Sequence, residues 1–167
     1  MVAIHIRPAT TDDREVLEEL IDACYSTVYP GWYDDVLLSA ALPAMLRIDP
    51  ALLESGRYFA ATLGGRLAGC GGWSTATPGT GRTEETVGHI RHFATHPDFM
   101  RSGVGSAIIR RCLEEAKREG MRVLRCFSSI PAERFYARHG FERIDAVNIM
   151  LGDSVAFPAV LMEKKLG

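Results

Sequence analysis

The stretch Phe93-Ala94-Thr95-His96-Pro97-Asp98-Phe99-Met100-Arg101-Ser102-Gly103-Val104-Gly105-Ser106-Ala107 decides the fold and the chemistry of this chain. Before it, Val87 to Thr95 reads as a strand closed by His96-Pro97. After it, Val104, Ile108, Ile109, Cys112, Leu113 and Ala116 form a broad apolar stripe at helical spacing, and Gly120 ends the helix. A strand, a short turn and a helix opening on two glycines aim several unpaired N–H groups at one point, where the helix dipole also favours negative charge. Gly103 and Gly105 put no Cβ in the way of an anion, and Arg101 adds a cation able to bind it through two N–H groups. Phosphate or pyrophosphate fits this description best. A Walker loop, GxxxxGK followed by Ser or Thr, is absent. A dinucleotide fingerprint fails too, because position 108 is Ile and the region around Arg125 is basic.

Working outward, Val2, Ile4 and Ile6 alternate with Ala3, His5 and Arg7 in a half-buried strand ended by Pro8. Thr11 or Asp12 caps a helix in which Val16, Leu17, Leu20, Ile21 and Cys24 recur, ending near Tyr25. A second helix spans about 34 to 46, kinked or divided at Pro43, with an aromatic turn from Tyr29 to Tyr33 between the two. Residues 57 to 73 read as a hairpin turning at Gly64-Gly65, and the run Gly69-Cys70-Gly71-Gly72 marks a bulge or a close backbone approach. A polar loop covers about 75 to 86. Downstream, Arg122 to Phe127 is a strand, Pro131 opens a helix that stops at Gly140, and two strands occupy about 142 to 150 and 156 to 164.

The 167 residues, 47% hydrophobic and 24% charged, suit one compact domain over 1 to 167, with no internal repeat and no linker. A formal charge of -2 gives no general attraction to nucleic acid. No apolar run is long enough to cross a bilayer and none resembles a signal peptide, so a cytoplasmic protein is expected. Cys24, Cys70, Cys112 and Cys126 match no metal or redox spacing, and they read as reduced, buried thiols. His89 and His92 point to opposite faces of a regular strand, so no metal site is expected there.

Phe93 to Pro97 followed by Arg101-Ser102-Gly103-Val104-Gly105-Ser106-Ala107 resembles the acetyl-CoA signature of the GNAT superfamily of N-acetyltransferases. Phe135-Tyr136-Ala137-Arg138-His139-Gly140-Phe141 resembles its second landmark, at the right separation. Three positions depart from the family pattern: Met100 where Gln or Arg is common, Ser129 where Asn often holds the pantetheine, and His89 where many members carry Glu.

The resemblance implies an α/β (α+β) fold: a mixed sheet of about seven strands, the fourth and fifth splayed apart, flanked by about four helices. It implies acetyl-CoA as the cofactor, bound by Phe93, Ala94, Thr95, Arg101, Ser102, Gly103, Val104, Gly105, Ser106, Ser129 and Tyr136. The pantetheine arm would pair with the fourth strand as an added strand. A primary amine of a small molecule would attack the thioester directly, through a tetrahedral intermediate whose oxyanion a strand N–H stabilises. In this scheme Tyr136 protonates the departing thiolate, the alternative being a tyrosine packed on its ring.

Other residues keep two readings. His89 is a proton acceptor or a structural strand histidine, and Glu84 and Glu85 are rival bases or solvated loop charges. Tyr29, Trp32, Tyr33 and Trp73 line the acceptor pocket or pack in the core. Arg110, Arg111, Lys117 and Arg118 read as the wet face of an amphipathic helix. The C-terminal strands offer an edge for a homodimer. A CoA-binding or sensing module without turnover is the competing function, and generic nucleotide binding a third.

Overall fold

A computed structural model describes residues 2–152 and 154–167. In chain order the elements are β1 (Ile4–Pro8), α1 (Arg14–Val28), α2 (Asp35–Met45), α3 (Pro50–Glu54), β2 (Tyr58–Leu63), β3 (Arg66–Ser74), β4 (Val87–Thr95), α4 (Val104–Arg118), β5 (Val123–Ser128), α5 (Glu133–Arg138), β6 (Glu142–Leu151) and β7 (Val155–Lys165). The seven strands form one mixed sheet in the order β1-β2-β3-β4-β5-β7-β6, in which β4 and β5 run parallel and every other neighbouring pair antiparallel. This is the expected architecture with five helices rather than four. No helix among the described residues is long and apolar enough to cross a membrane.

The period-2 geometry of the strands divides the core. Tyr58 and Ala60 of β2 join one apolar cluster with Leu17, Ile21 and Tyr25 of α1, Leu38 of α2 and Leu52 of α3. Phe59 and Ala61, the alternate residues, join a second cluster with Ile108, Ile109 and Cys112 of α4. The sheet is thereby covered on both faces.

Several local expectations change. The entry to α1 begins one residue earlier than the sequence suggested: Thr10 donates its N–H to Asp13 (2.8 Å), and Asp13 receives two 2.8 Å bonds from Arg7. Asp13, not Thr11 or Asp12, stands at the N-cap position of the helix, its carboxylate turned back to Arg7 and Thr10, and the helix runs three residues past Tyr25. Val16 belongs to the outer face and is 49% exposed. Pro43 does not divide α2, because it falls in the last turn, where it forfeits one backbone bond before the helix ends anyway. The helix α3 escaped notice at five residues, too short to show a period; Pro50 at its first position and Asp49 accepting from the Ala51 N–H (2.9 Å) are the local signals that start it. Pro131 sits in a single 3₁₀ turn, Ile130–Ala132, ahead of α5.

The glycine run in β3 does produce a bulge. The β3–β4 register shifts between Cys70 and Gly72, and opposite it His92 adopts φ +44. The Tyr58 hydroxyl donates to the His92 carbonyl at 2.7 Å and pins this strained backbone. A Cβ on Gly71 would lie 2.7 Å from the Phe93 ring, so glycine there is what admits the ring. Below the bulge, β4 and β5 pair only through Val87–His89 and Val123–Arg125. Beyond that point β5 stays with β7 as far as Ser128 while β4 stays with β3 as far as Thr95. The two strands therefore splay and leave a cleft between them.

Candidate active site

At one end of the cleft α4 begins. Arg101 and Gly103 both take left-handed backbone, φ +62 and +87, which turns successive N–H groups the same way. Among the described residues, no backbone acceptor takes the N–H of Gly103, Val104, Gly105 or Ser106; the first bond of the helix is Ala107 to the Gly103 carbonyl, 3.0 Å. Arg101 is exposed and forms no ion pair among the described residues. The Ser106 hydroxyl lies 3.0 Å from Nε2 of His139, just past α5. Burial lowers the pKa of His139, and Arg110, Arg138 and Lys164 lower it further, so these three cations gather around the same corner. Open N–H groups, a helix dipole and unneutralised cations fit the polyphosphate of a CoA.

From this corner an aromatic path leads inward. The Cβ that Gly105 lacks would touch the Phe135 ring at 3.1 Å, and Phe135 in turn lies against Phe93 and Tyr136, with ring centroids 6.2 and 5.1 Å away. Phe93 and Tyr136 are themselves part of the wall of a cavity of about 660 Å³. Tyr25, Tyr29, Arg47, the tip Pro78-Gly79-Thr80, Arg91, His92, Phe93, Ser129, Tyr136 and the β6 segment Asn148–Leu151 are part of its wall. A Cβ at 103 would meet open space, and glycine is favoured there by its φ, whereas at 105 the nearest neighbour of a Cβ is Phe135.

Comparison with known proteins bears directly on this geometry. Residues 14–141 match the acetyltransferase (GNAT) family. The chain belongs to the GNAT family. It is 28% identical over 148 residues to an amino-acid acetyltransferase of Mycobacterium tuberculosis, a match covering 86% of this chain and 71% of that protein. A shorter match, 34% over 64 residues, links it to an uncharacterised N-acetyltransferase of Methanocaldococcus jannaschii, covering 36% of this chain and only 28% of that one. Among solved structures, a GCN5-related N-acetyltransferase from Rhodopseudomonas palustris superposes with a TM-score of 0.79 at 20% identity, covering 99% of this chain and 98% of that chain. A PaiA N-acetyltransferase from Thermoplasma acidophilum, solved with coenzyme A, gives 0.73 at 17% identity, covering 98% and 99%.

Within this GNAT fold the residues singled out in the sequence separate into two groups. Phe93, Ser129, Tyr136 and Tyr29 line the cavity, and Arg101 to Ser106 build the helix end beside it. Ala94 is buried opposite Cys70 of β3, and the Thr95 hydroxyl faces the position of the missing Gly105 Cβ at 3.7 Å. Tyr136 is 5% exposed, and burial raises its pKa well above that of a free phenol, so it holds its proton.

The second group sits elsewhere. His89 is 2% exposed, with Nε2 3.2 Å from the Thr77 hydroxyl, and it lies outside the cavity wall. Its pKa is lowered by burial first and then by Arg125. Glu84 is the ion-pair partner of Arg125 at 2.9 Å, and Glu85 is exposed. Trp73 is fully buried beneath the Arg57 guanidinium, and Trp32 is 57% exposed on the outer surface. Tyr33 braces the wall from behind, donating to the Pro158 carbonyl (2.9 Å) and accepting from the Ile130 N–H (2.8 Å).

Sequence reasoning missed Tyr25, Arg47, Arg91 and, as a cavity residue, His92. The bulge that brings Arg91 and His92 to the wall depends on pairing between β3 and β4, which a single strand does not display. Burial lowers the His92 pKa to about 4, so its ring is neutral at pH 7. Among the described residues no group of three or more His, Cys, Asp or Glu is placed to hold a metal ion.

Proposed function

We propose that the chain transfers an acetyl group from acetyl-CoA to a primary amine of a small molecule. The observation that carries this reading is the set of unpaired N–H groups at the start of α4, linked through the packed rings of Phe135, Phe93 and Tyr136 to the cavity beside the splayed β4 and β5. Acetyl-CoA supplies a thioester carbonyl open to attack. Gly103 to Ser106 bind its pyrophosphate through their N–H groups, with Arg101 as counter-charge. The β4 edge from Phe93 to Thr95 orients the arm, and Ser129 hydrogen-bonds it from the β5 side.

Tyr136 then donates a hydrogen bond to the leaving sulfur. A free phenol near pKa 10 already gives its proton to a thiolate near 8.5 at a cost of about 2 kcal/mol, and burial adds to that. Donation of a hydrogen bond, rather than full transfer before the bond breaks, is what this residue can supply. The amine loses its proton to water rather than to His89, which lies outside the cavity, or His92, whose pKa of about 4 makes it too weak a base.

The test is amine-dependent release of free CoA thiol from acetyl-CoA, with mass spectrometry of the acetylated product. A protein that binds CoA but releases none across a wide amine panel is a CoA-binding module, and the proposal fails.

A further inference from the structure

Among the described residues the cavity wall contains two charged side chains, Arg47 and Arg91, and no carboxylate. Neither arginine is within ion-pair distance of an acid among the described residues. Arg91 makes one hydrogen bond, from Nη1 to the Ser74 hydroxyl at 3.1 Å, which leaves most of its five donors without a partner among the described residues. The carboxylates nearby are committed elsewhere. Asp49 caps α3 through the Ala51 N–H, and Glu18 accepts from the Ile48 N–H (2.9 Å) and from Arg14 (3.1 Å). Burial lowers the pKa of Arg91, partly offset by Asp49.

A half-buried guanidinium with no carboxylate within ion-pair distance is an unfavourable arrangement that folded proteins seldom keep unless a ligand completes it. We infer that the acceptor amine also carries a carboxylate, and that Arg91, with Arg47 at the more exposed rim, receives that carboxylate. The inference rests on the acetyl-transfer reading above and names its substrate class.

The position of Arg91 supports the assignment. It stands on β4 two residues before Phe93, so an anion held there lies beside the strand edge proposed to orient the thioester. A short acceptor with its amine close to its carboxylate suits that spacing. The planar fork of the guanidinium matches a carboxylate through two parallel hydrogen bonds. A cationic acceptor such as a polyamine meets two like charges and no acid in the same wall.

The experiment uses the intact protein with saturating acetyl-CoA. The probes are L-methionine, L-phenylalanine, L-glutamate and L-lysine, each beside its α-carboxamide, with putrescine as a dication. Thiol release gives kcat/KM, and calorimetry on the CoA-bound protein gives acceptor binding independently of turnover. Amidation leaves a larger fraction of the amine unprotonated, so intrinsic reactivity favours the amide, and preference for the acid must come from the site. The best acid is expected to exceed its amide by at least about 10-fold. Arg91→Gln should lower kcat/KM for the acid by about 10- to 100-fold, mainly through KM, with little effect on the amide or on acetyl-CoA affinity. Arg91→Lys keeps the charge and should keep part of the preference.

Amides or putrescine equalling the acids, or Arg91→Gln lowering acid and amide alike, would overturn the inference while leaving acetyl transfer intact. Arg91-dependent binding of the acids without any acetylation would support the anion site and remove the transferase reading. Neither acid preference nor Arg91-dependent binding would also overturn it.

Discussion

Replacing Arg101 by glycine should move stability and cofactor affinity in opposite directions. Arg101 holds φ +62, a conformation that costs an L-residue about 1 to 2 kcal/mol, and glycine adopts it freely. Glycine in turn loses more backbone entropy on folding, about 0.5 to 1 kcal/mol. The side chain is exposed, with no hydrogen bond or ion pair among the described residues to lose. The net expectation is a gain of about 0 to 1.5 kcal/mol, or up to about 6 °C in Tm for a chain of this size. Acetyl-CoA affinity should fall by about 1 to 3 kcal/mol, because one charge-assisted bond to the pyrophosphate goes with the guanidinium. Urea denaturation without ligand gives the first quantity and titration calorimetry the second. A variant less stable than the parent by 1 kcal/mol or more, binding acetyl-CoA equally well, would refute both halves of the reasoning: the strain would not be stored at Arg101, and its guanidinium would not contact the pyrophosphate.

Three further outcomes are expected. Tyr136→Phe should cut turnover by about 10²- to 10⁴-fold with acetyl-CoA affinity retained, checked by steady-state kinetics beside calorimetry. Gly71→Val should destabilise the fold by about 1 to 3 kcal/mol in urea, because its Cβ meets the Phe93 ring at 2.7 Å and β4 must shift to admit it. Asp13, whose pKa the Arg7 guanidinium lowers from 3.8 to about 2, stabilises the fold above about pH 4 and loses that contribution as pH falls through about 2. Since Arg7 is 54% exposed, Asp13→Asn should cost no more than about 1 kcal/mol at pH 7 and only a small fraction of that at pH 2, read from urea titrations at both values.

The strand, turn and helix proposed to hold the anion were legible in the sequence because they are local. A strand, a turn with two glycines and an amphipathic helix all lie within thirty-odd residues, and each is announced by its own periodicity. The sheet strands and the Gly64-Gly65 hairpin were legible for the same reason. What the sequence withheld depends on pairing across the sheet. His89 looked like the better-placed histidine of β4, yet the bulge at His92 leaves His89 against Thr77 and brings His92 and Arg91 to the cavity. Glu84 and Arg125 are 41 residues apart in sequence, so their ion pair, which occupies a candidate base, had no local signal. Likewise Arg110, read as part of a wet helix face, stands with Arg138 and Lys164 around His139, because α5 and β7 return to the end of the cleft.

A crystal structure of the complex with acetyl-CoA tests the central claim most directly. The expected result is pyrophosphate oxygens within about 3 Å of the N–H groups of Gly103 to Ser106, and the thioester between β4 and β5 on the Tyr136 side of the cavity. Acetyl-CoA bound away from the start of α4, or no bound acetyl-CoA at saturating concentration, would contradict it.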